Sequence, residues 1–332
     1  MFSVNLYKNG KTKVNHLEKL LELFPDKPWD WGLLSTNDSV TWKNIQANLD
    51  KSWSWHWVSC NPSVTWEIVK DNPSLPWGGF LASNPNITWE IIKNNMNKSW
   101  DWYWVSCNPN VSWEIVQANP DKPWDWAGLS RNPNITQEII EKNMDKPWDW
   151  RELSRNPSAI TWEFVQTNTD KPWDWKNLSA NPSITQEMVE NNPSYPWNWL
   201  WLSMNPSVAT WEFVRNNLDK TWFWHELTKN PKVATWETVR ENLFIPWDWT
   251  VLSSSSRITW EIVQANPSLP WDWVWLPMNP NITWEIIEKN MDKPWSLGGF
   301  SYNPNVTWKI VRDNPSFPWD WYRMSFQKYR DP

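Results

Sequence analysis

The sequence predicts an all-α protein, an α-solenoid of twelve helix-turn-helix repeats of about 24 residues, each built from two half-repeats of about 12 residues, with a cap at either end. Three observations lead there. An equivalent tryptophan recurs at 29, 53, 77, 100, 124, 148, 173, 197, 222, 247, 271, 295 and 319, which marks twelve complete units and the start of a thirteenth. Composition is biased as copying of one unit would bias it, with 38 Trp, 28 Pro and only 7 Gly in 332 residues. Period-two alternation is absent, and a proline about every twelve residues would interrupt a strand ladder.

The elements of a unit follow from one stretch, Trp124-Asp125-Trp126-Ala127-Gly128-Leu129-Ser130-Arg131-Asn132-Pro133. Asp125 is a good N-cap, because its carboxylate can accept an orphan N–H of the first turn. Trp124 before the cap and Leu129 at the fourth helical position have hydrophobic-staple spacing. Asn132 tolerates the left-handed conformation and stands before Pro133, so the helix ends there. The second half, as in Ile87-Thr88-Trp89-Glu90-Ile91-Ile92, repeats this logic with Thr88 as cap and Ile87 and Ile92 as staple. Glu90 sits in the first turn, where the helix dipole favours negative charge. Helices of about seven residues cannot hold alone, so stability must come from packing between units. The second tryptophan of each half, of the Trp126 or Trp89 kind, is expected in the same layer with its indole N–H bonded outward.

Residues 1–28 do not fit the repeat and read as an N-terminal helical cap. Val14, Leu17, Leu20, Leu21 and Phe24 share one side of its amphipathic helix. Residues 29–318 form the repeat domain. Residues 319–332 begin a first helix but never reach Asn-Pro, and read as a C-terminal cap. With helices packed 8–10 Å apart, the open array would be roughly 100–120 Å long.

Several recurring residues invite a role. The Asn before Pro is placed to bond the backbone of a neighbouring unit through its side-chain amide. Its replacement at Ser255, in Ser253-Ser254-Ser255-Ser256, predicts a looser joint. Glu67, Glu90, Glu114, Glu138 and Glu163 form an acidic row that Lys51, Lys122 and Lys146 could answer. One carboxylate per unit is too sparse for a metal site.

A net charge of -6 with interspersed signs disfavours nucleic-acid backbone binding, and no apolar run approaches a membrane span. Met1 to Leu6 carry no secretory h-region, and two cysteines in so long a chain point to a reducing, intracellular setting. His16, His56 and His225 are isolated, and no nucleophile motif or Gly-rich phosphate loop exists, so no catalytic residue, metal or cofactor is expected. The two variable positions of the first helix carry the functional signal. They hold Trp57 with Cys60, Trp104 with Cys107, Trp201 with Met204 and Trp275 with Met278, whereas other units hold polar or small pairs such as Glu152 with Arg155, Glu226 with Lys229 and Asn177 with Ala180. Such a face is solvated in some units and apolar in others, so these eight residues are candidates for contact with a protein partner, or for cover by a neighbouring loop or cap. Cys60 and Cys107, two units apart, would lie about 20 Å from each other, too far for a disulfide.

The iterated pattern Pro-Trp-Asp-Trp, Leu-Ser, Asn-Pro, Ile-Thr-Trp-Glu, as at Pro123 to Pro133 and Ile87 to Glu90, resembles the tryptophan-repeat proteins of entomopoxviruses and giant DNA viruses over about residues 26–326. Departures are Gln137 and Gln186 for a second-half Trp, Lys43 and Lys309 for the Glu, and the Gly-Gly-Phe units at Gly78-Gly79-Phe80 and Gly298-Gly299-Phe300. The resemblance implies a viral protein acting in the host cell or in the particle, and transfers no catalytic residue. The expected function is a non-enzymatic scaffold for a host or viral protein, with no nucleic-acid partner and no membrane insertion, self-association being open. The alternatives are a structural component of a virion or filament and, more weakly, carbohydrate binding by exposed Trp.

Overall fold

A computed structural model describes residues 16–326, and among them the chain is helices and turns without a strand. The repeat unit is the expected pair of short helices. In the unit of Trp124 the first helix is Trp126–Arg131 and the second Gln137–Lys142, six residues each. Asp125 caps the first through its side chain, which accepts the Gly128 N–H at 2.8 Å. Thr88 caps Trp89–Asn94 in the same way. The stop differs in detail: Asn132 is extended, with φ -65° and ψ 128°, and not left-handed. The following proline clashes with a helical residue before it and drives Asn132 into the β region.

Three first helices tighten into 3-10 turns, at Gly79–Ser83, Leu276–Met278 and Leu297–Tyr302. The second has Pro277 inside it, which removes an N–H; the first starts on the Gly78-Gly79 step and the third contains Gly298-Gly299, and glycine weakens helix.

The staple residues are the core. Trp148, Leu153, Ile135 and Ile140 are buried, as are most of their counterparts around the molecule, with Trp77, Trp100 and Trp124 partly buried against them. The second tryptophan of each first helix stands edge-on against the first tryptophan of the next unit, as Trp126 does against Trp148 with ring centroids 5.1 Å apart. It is the first tryptophan whose indole N–H has an identified acceptor: Trp124 Nε1 donates 2.8 Å to the carbonyl of Asn119, the C-cap of the helix before it. The two glutamines at tryptophan positions reach forward instead, Gln137 accepting the Thr161 N–H and Gln186 the Thr210 hydroxyl.

Units are tied by an asparagine ladder. Asn132 Nδ2 donates to the carbonyls of Ser106, Asn108 and Val111 in the preceding unit at 2.8, 3.1 and 3.1 Å, fully buried. The recurring serine adds a second tie, Ser106 Oγ accepting the N–H of Asp125 at 3.0 Å. The unit lacking the asparagine is tied by another residue. Arg257 reaches into the gap, donating to the carbonyls of Thr228, Asn230 and Ala234 and bonding Ser255 Oγ. These are the carbonyls an asparagine at 255 would hold. The acidic row and the loop lysines do not meet: Lys51, Lys122 and Lys146 each pair with the aspartate just before them.

The two ends of the array meet. Helix Trp321–Phe326 lies beside helix Trp31–Leu34, and His16–Leu23 lies beside Trp308–Asp313. Ser325 Oγ accepts the N–H of Asp30, Asn37 Nδ2 donates to the Ser325 carbonyl, and Trp321 stands edge-on to Trp29 at 5.1 Å, each copying the ties between successive units. Helix His16–Leu23 has the register of a second helix: Trp29 Nε1 donates to the Phe24 carbonyl as Trp53 Nε1 does to that of Asn48. On its other side Lys43 pairs with Glu18 at 2.7 Å. Within the described residues the two end segments join each other into a thirteenth unit. Instead of an open array of 100–120 Å, the solenoid is a closed ring. Val14 and residues 327–332 of the expected caps lie outside the described residues.

First helices approach one another most closely around the ring, and second helices are farther apart. In a closed ring the closer layer is the inner one. Thirteen helices 8–10 Å apart put opposite first-helix axes roughly 35–40 Å from each other and leave a lumen roughly 25 Å wide.

Candidate interaction face

Each first helix turns its second tryptophan and its leucine outward to the other layer and its serine to its neighbour. Three positions remain for the lumen, held in the reference unit by Ala127, Gly128 and Arg131. The asparagine ladder and the serine tie do not use these side chains, and they vary from unit to unit.

The candidate residues all lie on this face. Trp57 and Trp275 remain 45% and 42% exposed and Met204 39%, while Trp104, Trp201, Cys60, Cys107 and Met278 are half-buried. They do not form one patch. Trp57 and Trp104 join through Phe80, which stands edge-on to both with centroids 5.2 and 4.5 Å away, and Tyr103 meets Trp104 at 5.0 Å. Trp201 and Met204 form a second patch with Leu200, and Trp275 and Met278 a third with Val274. Phe80 was missed because its unit is one residue short. Counted back from the ladder asparagine it was visible: Phe80 is four before Asn84, as Trp57 is before Asn61 and Trp104 before Asn108.

A cationic arc follows the first patch. Arg131 donates to the Tyr103 hydroxyl at 3.4 Å. Arg155 does not pair with Glu152 of its own helix but crosses to Asn177 Oδ1 of the next unit at 2.9 Å. Lys229 does pair with Glu226 of its own helix, at 2.8 Å. Between patch and arc lies Gly128. A Cβ there would stand 2.6 Å from the Tyr103 carbonyl oxygen and 2.8 Å from Ser106 Cβ, so the glycine permits the close approach of the two helices.

Trp275 also borders an open cleft of about 540 Å³, with Lys229, Ser254 and Arg257 on its walls. In its wall His225 Nδ1 lies 2.7 Å from Asp248. Burial works to raise the Asp248 carboxyl, but hydrogen bonds from Thr250, His225 and the N–H groups of Val251 and Thr250 outweigh it and hold it at about 2.

The face offers adhesion more than reactivity. Burial raises the Cys60 thiol and pushes Cys107 to about 11, so neither is a ready thiolate, and both are free of disulfide. Among the described residues no His, Cys, Asp or Glu group is placed to hold a metal ion, and no helix is long and apolar enough to cross a membrane.

No family model, curated protein or solved structure matches the chain. The reading of its function therefore rests on the ring and its inner face.

Proposed function

We propose that this chain is a non-enzymatic interaction scaffold, a ring that holds a protein partner against the lumen face of its first helices. One observation carries the proposal: large apolar side chains, Trp57, Met204 and Trp275, stay exposed on the face of the first helices. Exposed apolar patches of this kind are what partners bury. The resemblance to viral tryptophan-repeat proteins supplies the setting, a host cell or a particle, where the partner is a host or viral protein.

Filament growth by end-to-end stacking of repeats, the alternative reading, is less favoured, because among the described residues the two end faces already cover each other. The test replaces Trp57, Trp104, Trp201 and Trp275 by Ser and compares proximity-labelled partners with those of the native protein and of a variant altered on the outer helices, such as Glu90→Ser with Glu114→Ser. Loss of partners in the first variant alone is expected. An unchanged partner set in the tryptophan variant would overturn the proposal.

A further inference from the structure

We infer that the occupant of the lumen is an acidic peptide segment, bound across the arc from Trp57 to Lys176 with its apolar side chains on the aromatic strip and its carboxylates on the cationic arc. This rests on the lumen reading above and names the chemistry of the partner.

Charge complementarity carries the inference. Arg131, Arg155 and Lys176 are exposed on three successive units of the inner face. Among the described residues none of the three has a carboxylate within 4.0 Å, whereas Arg151 pairs with Asp174, Arg323 with Asp320 and Lys229 with Glu226. Arg131 and Arg155 are also held in place by hydrogen bonds to neutral partners, Tyr103 and Asn177, and Glu152 acts on Arg131 only through space, without an ion pair. Three cations left open in a protein of net charge -6 mark the place for a partner's carboxylates. The strip that precedes them, Trp57, Phe80 and Trp104, is aromatic.

The same features argue against a nucleic-acid strand. The rings of Trp57, Phe80 and Trp104 stand at 68° and 78° to one another, so they tile edge to face and offer no parallel faces on which successive bases could stack. Six units span five steps of 8–10 Å, an arc of roughly 40–50 Å and the length of an extended segment of about 12–15 residues.

The experiment is selection of random 15-residue peptides on the full-length protein, repeated on Arg131→Glu/Arg155→Glu/Lys176→Glu and on Trp57→Ser/Trp104→Ser. Circular dichroism confirms that each variant is folded. The inference expects peptides rich in Asp and Glu with one or more aromatic or aliphatic residues, losing about tenfold or more in affinity on either variant and weakening with salt. Peptides that need Trp57 and Trp104 but carry no acidic bias would overturn it while leaving the lumen reading standing. Peptides indifferent to both variants, or no enriched peptide at all, would overturn it. If those two variants and the tryptophan variant of the preceding section also kept every partner, the lumen reading would fall with it. Tighter binding of a 20-nucleotide single strand than of any peptide would overturn it as well.

Discussion

Ser325 Oγ accepts the backbone N–H of Asp30 at 3.0 Å across 295 residues of sequence. The same bond joins Ser106 to Asp125 in the interior of the array, so the seam is chemically one more joint between units. It differs in having no covalent link across it. Ser325→Ala removes this bond and is expected to cost about 1–2 kcal/mol. Hydrogen exchange should show helices His16–Leu23 and Trp321–Phe326 losing protection together. Loss confined to one of them would contradict a shared joint.

Asn132→Ala removes three donated hydrogen bonds and the one accepted from the Asn134 N–H, and strands buried carbonyls. The expected cost is about 2–4 kcal/mol, read by urea denaturation. A neutral result would mean that the ladder decorates the packing without holding it.

Arg257 and the ladder asparagine are interchangeable in this account. Arg257→Ala should destabilise by about 2–3 kcal/mol, and adding Ser255→Asn should restore most of the loss by returning an amide to the same carbonyls. Failure of the second change to rescue the first would show that Arg257 acts in some other way.

How much of this was legible in sequence follows from what every unit must share. Trp124, Leu129, Asn132 and Ser130 recur because each joint needs the same core and the same bonds, and the helices, caps and ladder could be read from them. Closure depends on the angle between units, which small differences such as Ser106 against Gly128 set across a joint, and no single unit reveals it. One signal was present: Leu21 stands eight residues before Trp29, as Ile45 stands before Trp53, so the first helix had the register of a second half. The candidate face was found through its variation. Its continuity through Phe80 was hidden by a one-residue deletion, and Arg257 by the habit of seeking a replacement at the same position.

Gly128→Ala gains helix propensity yet should destabilise by about 1–3 kcal/mol, because the new methyl meets the Tyr103 carbonyl oxygen at 2.6 Å. Gly298→Ala, whose methyl would meet nothing closer than 3.8 Å, should be near neutral. Thermal melts of the pair test it, and equal effects would contradict the close approach.

Asp248 makes stability depend on pH in one direction. Its carboxyl is held at about 2 against an ordinary 3.8, so its contribution, about 2 kcal/mol, is complete above pH 3.8 and is lost as pH falls toward 2. Asp248→Asn should flatten that part of the stability profile, and an unchanged acid slope would refute the assignment.

Closure of the ring is tested most directly by a distance between the outer helices on either side of the seam. Spin labels at Lys43→Cys and Arg312→Cys, with Cys60 and Cys107 changed to Ser, sit on the second helices of the first and twelfth units, with one second helix between them. A closed ring predicts a separation of about 20–35 Å by double electron–electron resonance. An open solenoid would place the labels roughly 100 Å apart, and a trace without that short distance would contradict the ring.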